Sequence, residues 1–201
     1  MTVSSITKWG DSNHDEGKFI VGKPKVYDQS LSIQHWQLRD LLACPEKENE
    51  VYHVNHYSVN CFNTETNESN ATLKYLTYAP TSMAIGHGYL AVGGHRAELT
   101  VRHLNTSWLV RTSVGGSINN SLTIFSHRGE KRLLVSNNDQ TIKVYSLPDF
   151  RKLDVLDFPT AVNHAAVSPD GTKLIAVGDS SQIFLYNIRG NDFEKNECII
   201  R

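Results

Sequence analysis

Histidine and cysteine are the side chains of this sequence that could bind a metal ion. His53 and His56 are three residues apart, and His35, Cys44 and Cys61 lie near them in the sequence. Zinc sites in proteins use such side chains. However, positions three apart in a strand point to opposite faces, so His53 and His56 could not converge without a bend. The sequence therefore predicts no metal site, and it contains no cofactor-binding motif.

Composition argues against several classes of partner. The 20 basic and 21 acidic side chains nearly cancel, so there is no broad positive field to attract nucleic acid or anionic lipid. No apolar run of about 18 residues predicts a membrane-spanning helix, and the N-terminus lacks the pattern of a signal peptide. The three cysteines lack CxxC spacing and are expected to be reduced thiols. We therefore expect a cytoplasmic or nuclear protein that binds neither nucleic acid nor membranes.

Three segments repeat the order strand, polar turn, strand. They span residues 88–104, 131–147 and 172–188, and the matching valines of the three segments are Val92, Val135 and Val177. Further strand candidates precede each segment and follow the first two. Four short antiparallel strands in about 40 residues are typical of a β-propeller blade, so the sequence predicts an all-β fold.

The strands of these segments also predict a core. In each segment the first strand is apolar on both faces, as expected in the middle of a sheet, and the second alternates between apolar and polar residues. The residues expected to be buried in the last two segments are Leu134, Val135, Ile142, Val144, Ile175, Val177, Ile183 and Leu185.

The stretch AVNHAAVSPDGTKLIAVGDSSQIFLYNI resembles a WD40 repeat, because VSPDGTKL matches the Ser-Pro-Asp-Gly turn of that family. In the middle segment, LLVSNNDQTIKVYSL places Asp139 at the position of the family's structural turn aspartate. Tyr145 and Tyr186 stand where the family has tryptophan, and Arg102 stands there in the first segment. Together with these repeats, GGSINNSLTIF is similar to a poorly characterised group of fungal WD-repeat proteins.

The resemblance implies about three to four WD40-like blades. We expect the chain to divide into a flexible polar arm at 1–30, a degenerate partial blade with a short helix at 31–80, and blades at 81–116, 117–158 and 159–201. The outer strand of the last blade is expected to be truncated. The helix is expected in QHWQLRDLLACP, where apolar residues cluster before Pro45.

The number of blades predicts an incomplete ring. Propellers generally carry 4–8 blades, and WD40 rings most resemble the seven-bladed case. A half-ring would leave sheet edges and one apolar face unprotected. We therefore expect a part of a longer protein, with self-association of two halves as the alternative.

In WD40 rings, the loops that enter each blade and the turns between its second and third strands line one face. The polar residues that the resemblance places there are expected to bind a partner, although Asn and Asp also suit solvated turns. These candidates are Arg96, Asn119, Asn120, Asn138, Asn163, His164 and Asp179. The turn residues expected to be structural are Asp139, Asp170 and Gly171.

The expected function is that of a non-catalytic scaffold or adaptor that binds proteins or peptides in a multiprotein complex. For the fungal group, the resemblance implies a substrate-recruiting subunit of a ubiquitin ligase. The alternative is a hydrolase that acts through the central channel of the propeller. Glu98, Asp139 and Asp179 would then have to face that channel together, but Glu98 begins a predicted strand whereas both aspartates lie in turns. The sequence also lacks GxSxG, P-loop and HExxH motifs.

Overall fold

The computed structural model describes residues 25–33, 40–45 and 47–200 of the chain. These residues form sixteen strands. In this part of the chain there is no helix of the length and apolarity needed to span a membrane. The strands build four antiparallel sheets of four strands each, and neighbours in a sheet are neighbours in the sequence. The predicted all-β fold is confirmed.

Each sheet is a meander whose first strand is called its inner strand below. The first sheet contains β1 (Leu42–Ala43), β2 (Glu50–Asn55), β3 (Ser58–Asn63) and β4 (Ser69–Leu73). The second contains β5 (Pro80–Gly86), β6 (Tyr89–Gly94), β7 (Glu98–His103) and β8 (Leu109–Ser113). The third contains β9 (Asn119–His127), β10 (Glu130–Asn137), β11 (Thr141–Leu147) and β12 (Lys152–Asp157). The fourth contains β13 (Val162–Val167), β14 (Lys173–Gly178), β15 (Gln182–Arg189) and β16 (Asp192–Ile200).

Tight turns connect the inner strand to the second strand in two of these sheets. His87 and Gly88 connect β5 to β6, and Arg128 and Gly129 connect β9 to β10; all four residues have positive φ. Positive φ at both central residues defines the type I′ turn, whose twist matches that of the flanking strands. These turns hold each inner strand against the apolar second strand of its sheet.

The sheets pack face to face in chain order, with a hydrophobic core between each neighbouring pair. Strand β10 contributes to two of these cores. Leu133 and Val135 belong to the core shared with the second sheet, whereas Leu134 belongs to the core shared with the fourth, and all three are 0% exposed. Because neighbouring residues of a strand point to opposite faces, the third sheet is buried on both sides.

The first sheet is covered on its far side by the segment 25–33. The Ser32 backbone N–H donates to the carbonyl oxygen of Val54 at 3.2 Å, and the Ser32 hydroxyl oxygen accepts from the His56 backbone N–H at 2.7 Å. The ring of Tyr27 packs edge-on against Phe62, with 5.1 Å between the ring centroids. Phe62 is consequently buried on the face away from the second sheet.

The far side of the fourth sheet has no such cover in the described part of the chain. Leu134 and Val144 are cross-strand partners in the third sheet and face the fourth. The corresponding partners in the fourth sheet are Ile175 and Leu185. Ile175 is 42% exposed, whereas Leu134 is 0% exposed. The burial of this position therefore depends on a neighbouring sheet.

The predicted core is confirmed in the third sheet and wrong in the fourth. The confirmed residues are Leu134, Val135, Ile142 and Val144, all 0% exposed. Ile175 and Val177 are exposed, and Ile183 and Leu185 are half-buried. The buried face of the fourth sheet instead carries Leu174, Ala176, Phe184, Tyr186 and Ile188.

The alignment of the repeats that matched Val177 to Val135 is wrong by one residue. Val177 pairs with Ile183 as Ser136 pairs with Ile142, so Ala176 is the true counterpart of Val135. A shift of one residue exchanges the two faces of a strand.

Three further expectations differ from the structure. Strand β16 pairs with β15 along its length, so the outer strand of the fourth sheet is not truncated. The first sheet is likewise a complete four-stranded sheet. Part of the expected helix, Leu42–Ala43, forms β1. Residues 34–39 of that helix and residues 1–24 of the expected arm lie outside the described residues.

Two isoleucines test whether the neighbouring sheet determines burial. Ile142→Ala should destabilise the protein by about 2–5 kcal/mol, because Ile142 is fully buried between the third and fourth sheets. Ile175→Ala removes the same atoms from a residue that is 42% exposed and should cost clearly less. Chemical denaturation of both variants measures the difference, and equal losses would contradict the packing order.

Candidate interaction surface

The inner strands β5, β9 and β13 lie side by side across three neighbouring sheets. Polar side chains join them. The hydroxyl groups of Thr81 and Ser82 in β5 both donate to the carbonyl oxygen of Asn119, each at 2.9 Å. The Thr123 hydroxyl in β9 donates to the carbonyl oxygen of Ala165 in β13 at 2.7 Å. These directional bonds set the spacing of the sheets at their inner edges.

Asn119 is buried at the centre of this network. Its Nδ2 donates to the Glu98 carbonyl oxygen at 2.9 Å, and its Oδ1 accepts from Asn137 Nδ2 at 2.8 Å. Asn119 and Asn137 are both 0% exposed. The assignment of Asn119 to a partner-binding surface is therefore wrong, because internal bonds use both polar ends of its side chain. Sequence reasoning missed Asn137; the available signal was a polar residue at the end of a strand whose middle is apolar.

Four of the other candidates form two equivalent pairs. Asn120 Nδ2 donates to Asn138 Oδ1 at 3.3 Å and to the Val162 carbonyl oxygen at 3.0 Å. In the next sheet, Asn163 Nδ2 donates to Asp179 Oδ1. Each pair joins the second residue of an inner strand to the first residue of the turn after the second strand. Asn138 and Asp179 are exposed, so both pairs present polar atoms to solvent.

His164 lies beside these pairs and contacts two side chains. Its Nδ1 is 2.9 Å from the hydroxyl oxygen of Ser121 and 3.6 Å from Oδ2 of Asp40. A Ser-His-Asp relay requires serine at one ring nitrogen and aspartate at the other. Here both approach Nδ1, and Ser121 is only 1% exposed. The arrangement is a polar cluster that connects Asp40, two residues before β1, to β13, and it lacks the geometry of an activated nucleophile.

Arg96 occupies the exposed β6–β7 turn, where its backbone N–H donates to Glu98 Oε2 at 2.6 Å. Arg96 thus lies at the same end of the sheets as the other candidates. We define the loop face by these residues: Asp40, Arg96, Asn120, Asn138, Asn163, His164 and Asp179. Asp40 was missed by sequence reasoning, because it lies outside the repeated segments and no spacing relates it to His164.

Asp139 lies in the turn between β10 and β11, and its carboxylate accepts three hydrogen bonds. Its Oδ2 accepts from the Gly116 backbone N–H at 2.7 Å and from Lys143 Nζ at 2.9 Å, and its Oδ1 accepts from the Thr141 hydroxyl. Burial raises the pKa of Asp139, but the hydrogen bonds from Thr141, Lys143 and Gly116 outweigh it and hold the pKa below its ordinary value. The carboxylate therefore ties the turn to the loop that enters the third sheet.

Asp170 and Gly171 form the turn between β13 and β14. The Ser168 hydroxyl and both the backbone N–H and hydroxyl of Thr172 donate to the Asp170 carboxylate, which lowers its pKa to about 2. Gly171 has a φ of +70°, which glycine adopts readily. The three hydrogen bonds to Asp170 and the positive φ of Gly171 together shape this turn.

The three carboxylates of the hydrolase alternative belong to separate networks. Glu98 accepts from the Arg96 backbone, Asp139 from its own turn and from Gly116, and Asp179 from Asn163. Within residues 25–33, 40–45 and 47–200, no three histidine, cysteine, aspartate or glutamate side chains are placed to hold a metal ion. His35 lies outside these ranges.

The carboxylate of Asp139 can be tested by Asp139→Asn. At pH 7 this change should destabilise the protein by about 1–3 kcal/mol, because it weakens a charge-assisted network. Since the pKa is lower in the folded protein than in the unfolded chain, the ionised form stabilises the fold above the ordinary pKa of 3.8. The difference between the variant and the original protein should therefore shrink as the pH falls through that region. Denaturant titrations at several pH values measure it, and a constant difference would contradict the assignment.

Comparison with known proteins gives one informative similarity. No protein-family model matches the sequence. An uncharacterised protein of Schizosaccharomyces pombe is 31% identical over 170 residues, a region that covers 82% of this chain and 49% of that protein. The chain thus spans about half the length of the curated relative it matches.

Proposed function

We propose that this chain is a non-catalytic scaffold, built from WD40-like propeller blades, that binds a protein or peptide partner through the loop face. The observation that carries the proposal is the repetition of one polar pair in successive sheets. Asn120 with Asn138, and Asn163 with Asp179, occupy equivalent positions and lie side by side at one end of the molecule. A repeated, solvent-facing polar array on rigid strands suits the recognition of an extended partner.

The sheet order supports the propeller interpretation. Four meander sheets pack in chain order, and β9 contacts both β5 and β13. In a propeller the first strands of successive blades lie nearest the axis, so contacts among inner strands are expected. The uncovered pair Ile175 and Leu185 supports an incomplete ring, in which a further sheet covers this face as the fourth sheet covers Leu134 and Val144.

The side chains of the loop face are held in place by neighbouring residues, which favours a role in binding a partner over contact with water alone. Asn120 also bonds to the Val162 backbone, and His164 contacts both Ser121 and Asp40, so neighbouring sheets restrain these side chains. Restraint before binding lowers the entropy lost when a complex forms. Recruitment of a substrate to a ubiquitin ligase is one form of such binding, which the fungal resemblance implies. We place this activity in the cytoplasm or nucleus.

The charges of the loop face indicate the chemistry of the partner. Asp40 and Asp179 contribute carboxylates around His164. Arg96 lies at the other side of the loop face, in the second sheet. The amides of Asn120, Asn138 and Asn163 provide both donors and acceptors between them. This composition suits a polar peptide segment with a basic group near the fourth sheet.

The test compares two multiple variants of the protein. Asn163→Ala, His164→Ala and Asp179→Ala together should abolish recovery of a stoichiometric partner, because they remove adjacent polar groups of the loop face. The matched control, Arg151→Ala with Lys152→Ala, changes exposed residues near the opposite end of the third sheet. Quantitative affinity purification measures partner recovery, and circular dichroism with thermal unfolding verifies folding.

Loss in the folded loop-face variant with retention in the control supports the proposal. Full retention of every partner by the loop-face variant contradicts it, and equal loss in both variants also contradicts it.

A further inference from the structure

A cavity lies between the first and second sheets, at the end of the molecule opposite the loop face. Its volume is about 540 Å³, which falls within the range of about 300–1,000 Å³ that is usual for ligand pockets. Leu104 and Asn105 in its lining follow β7, whereas Arg96 of the loop face precedes β7. The other lining residues used below are Glu50, Tyr52, Thr72 and Arg102.

Arg102 reaches across this cavity from the second sheet to the first. Its neighbour Val101 lies in the core shared with the third sheet, so Arg102 points toward the first sheet. There its Nη1 donates to the carbonyl oxygen of Thr72 in β4 at 2.6 Å. This bond uses one of the five N–H donors of the guanidinium and holds the half-buried group in the gap between the two sheets.

The other donors of Arg102 have no partner among the described residues, which supply no second hydrogen bond and no ion pair to it. Neither Nε nor Nη2 is among the completely buried polar atoms that lack a partner, so both nitrogens are accessible. Nε and Nη2 share one edge of the planar guanidinium, with two parallel N–H groups. Such an edge matches the two oxygens of a carboxylate.

The charges of the lining leave Arg102 without a counterion. Lys47 and Glu50 also line the cavity and are paired with each other at 2.7 Å. By contrast, the buried Arg132 of the third sheet is paired with Glu130 at 3.0 Å. A positive charge that is partly removed from water is costly without such a partner. Two cations and one carboxylate give the lining a net charge of +1, which a single monoanion neutralises.

Apolar groups lie in the same lining. Tyr52 and Leu104 are half-buried and pack against the core between the first and second sheets. We propose that the cavity binds a monocarboxylate with an apolar body. Its carboxylate accepts from Nε and Nη2 of Arg102, and its carbon atoms contact Tyr52 and Leu104. Small organic acids and the C-terminal residue of a peptide share this chemistry, and binding measurements separate them.

Isothermal titration of the full chain at pH 7 tests the proposal with two acids and one neutral control. The probes are phenylpropionate, the peptide N-acetyl-Gly-Gly-Leu with a free C-terminal carboxylate, and the same peptide as its C-terminal amide. The acids should bind saturably, and the one that binds more tightly identifies the source of the carboxylate. The amide should bind about tenfold or more weakly than the free peptide, because it loses the charge-assisted hydrogen bonds.

A pair of matched variants tests the role of the guanidinium. Arg102→Gln removes its charge and its free edge, so binding of the acids should weaken about tenfold or more. Arg111→Gln makes the same change at an exposed residue of β8 outside this cavity, and it should leave binding unchanged.

A third variant tests the charge of the lining and leaves the bond between Arg102 and Thr72 in place. Asn105→Asp preserves the size of an exposed turn residue and makes the lining neutral, so it should weaken binding of the acids about two- to fivefold. Circular dichroism verifies folding of each variant, and Asn105→Asp decides the question if Arg102→Gln does not fold.

Three outcomes would overturn the proposal. The first is absence of saturable binding by both acids, which leaves the cavity to water. The second is equal affinity for the free peptide and its amide. The third is unchanged binding of the acids in folded Arg102→Gln, or in Asn105→Asp where Arg102→Gln does not fold.

Discussion

A four-stranded sheet that is apolar on both faces requires a neighbour on each face, and this constraint organises the whole structure. Leu133 and Val135 on one side of β10 and Leu134 on the other are completely buried, because the second and fourth sheets lie on either side. The hydrophobic contribution to stability scales with the apolar area removed from water, so each added sheet stabilises the one before it. The two ends of the series differ: segment 25–33 covers the first sheet, whereas Ile175 in the fourth sheet remains 42% exposed.

Apolar packing is not directional, so it does not by itself set the orientation of one sheet against the next. Hydrogen bonds at the inner edges of the sheets set that orientation. Asn119 has its amide and carbonyl groups bonded to Glu98 and Asn137 and receives two hydroxyl groups from β5 at its backbone carbonyl. An unpaired polar group at full burial would cost about 1–3 kcal/mol, so this position tolerates few arrangements of the four strands β5, β7, β9 and β10. The buried asparagines thereby determine how the second and third sheets meet. The exposed polar pairs of the loop face lie beside them and are consequently held in a fixed geometry.

Much of the fold could be predicted from the sequence, because strands and turns are determined locally. The pattern of β10 and β11 predicted the burial of their apolar residues. Burial of the fourth sheet could not be predicted, since Ile175 repeats the environment of Leu134 only when another sheet lies over it. Strand β16 was missed for a related reason. Outer strands such as β8 are largely exposed, so a charged segment is compatible with that position.

The candidate site shows the same division between local and long-range information. Asn163 and Asp179 could be identified as candidates because polar residues recur at the matching loop positions of the repeats, but no sequence feature distinguishes them from Asn119, which is equally polar and entirely buried. The difference is whether a neighbouring sheet supplies partners. At the inner edges, polar atoms of adjacent sheets satisfy Asn119. At the opposite end, the fourth sheet accepts two hydrogen bonds from Arg132 but supplies no partner for its Nε or for His127 Nε2. Buried polar groups that find their partners in the adjacent sheet therefore determine how the sheets meet.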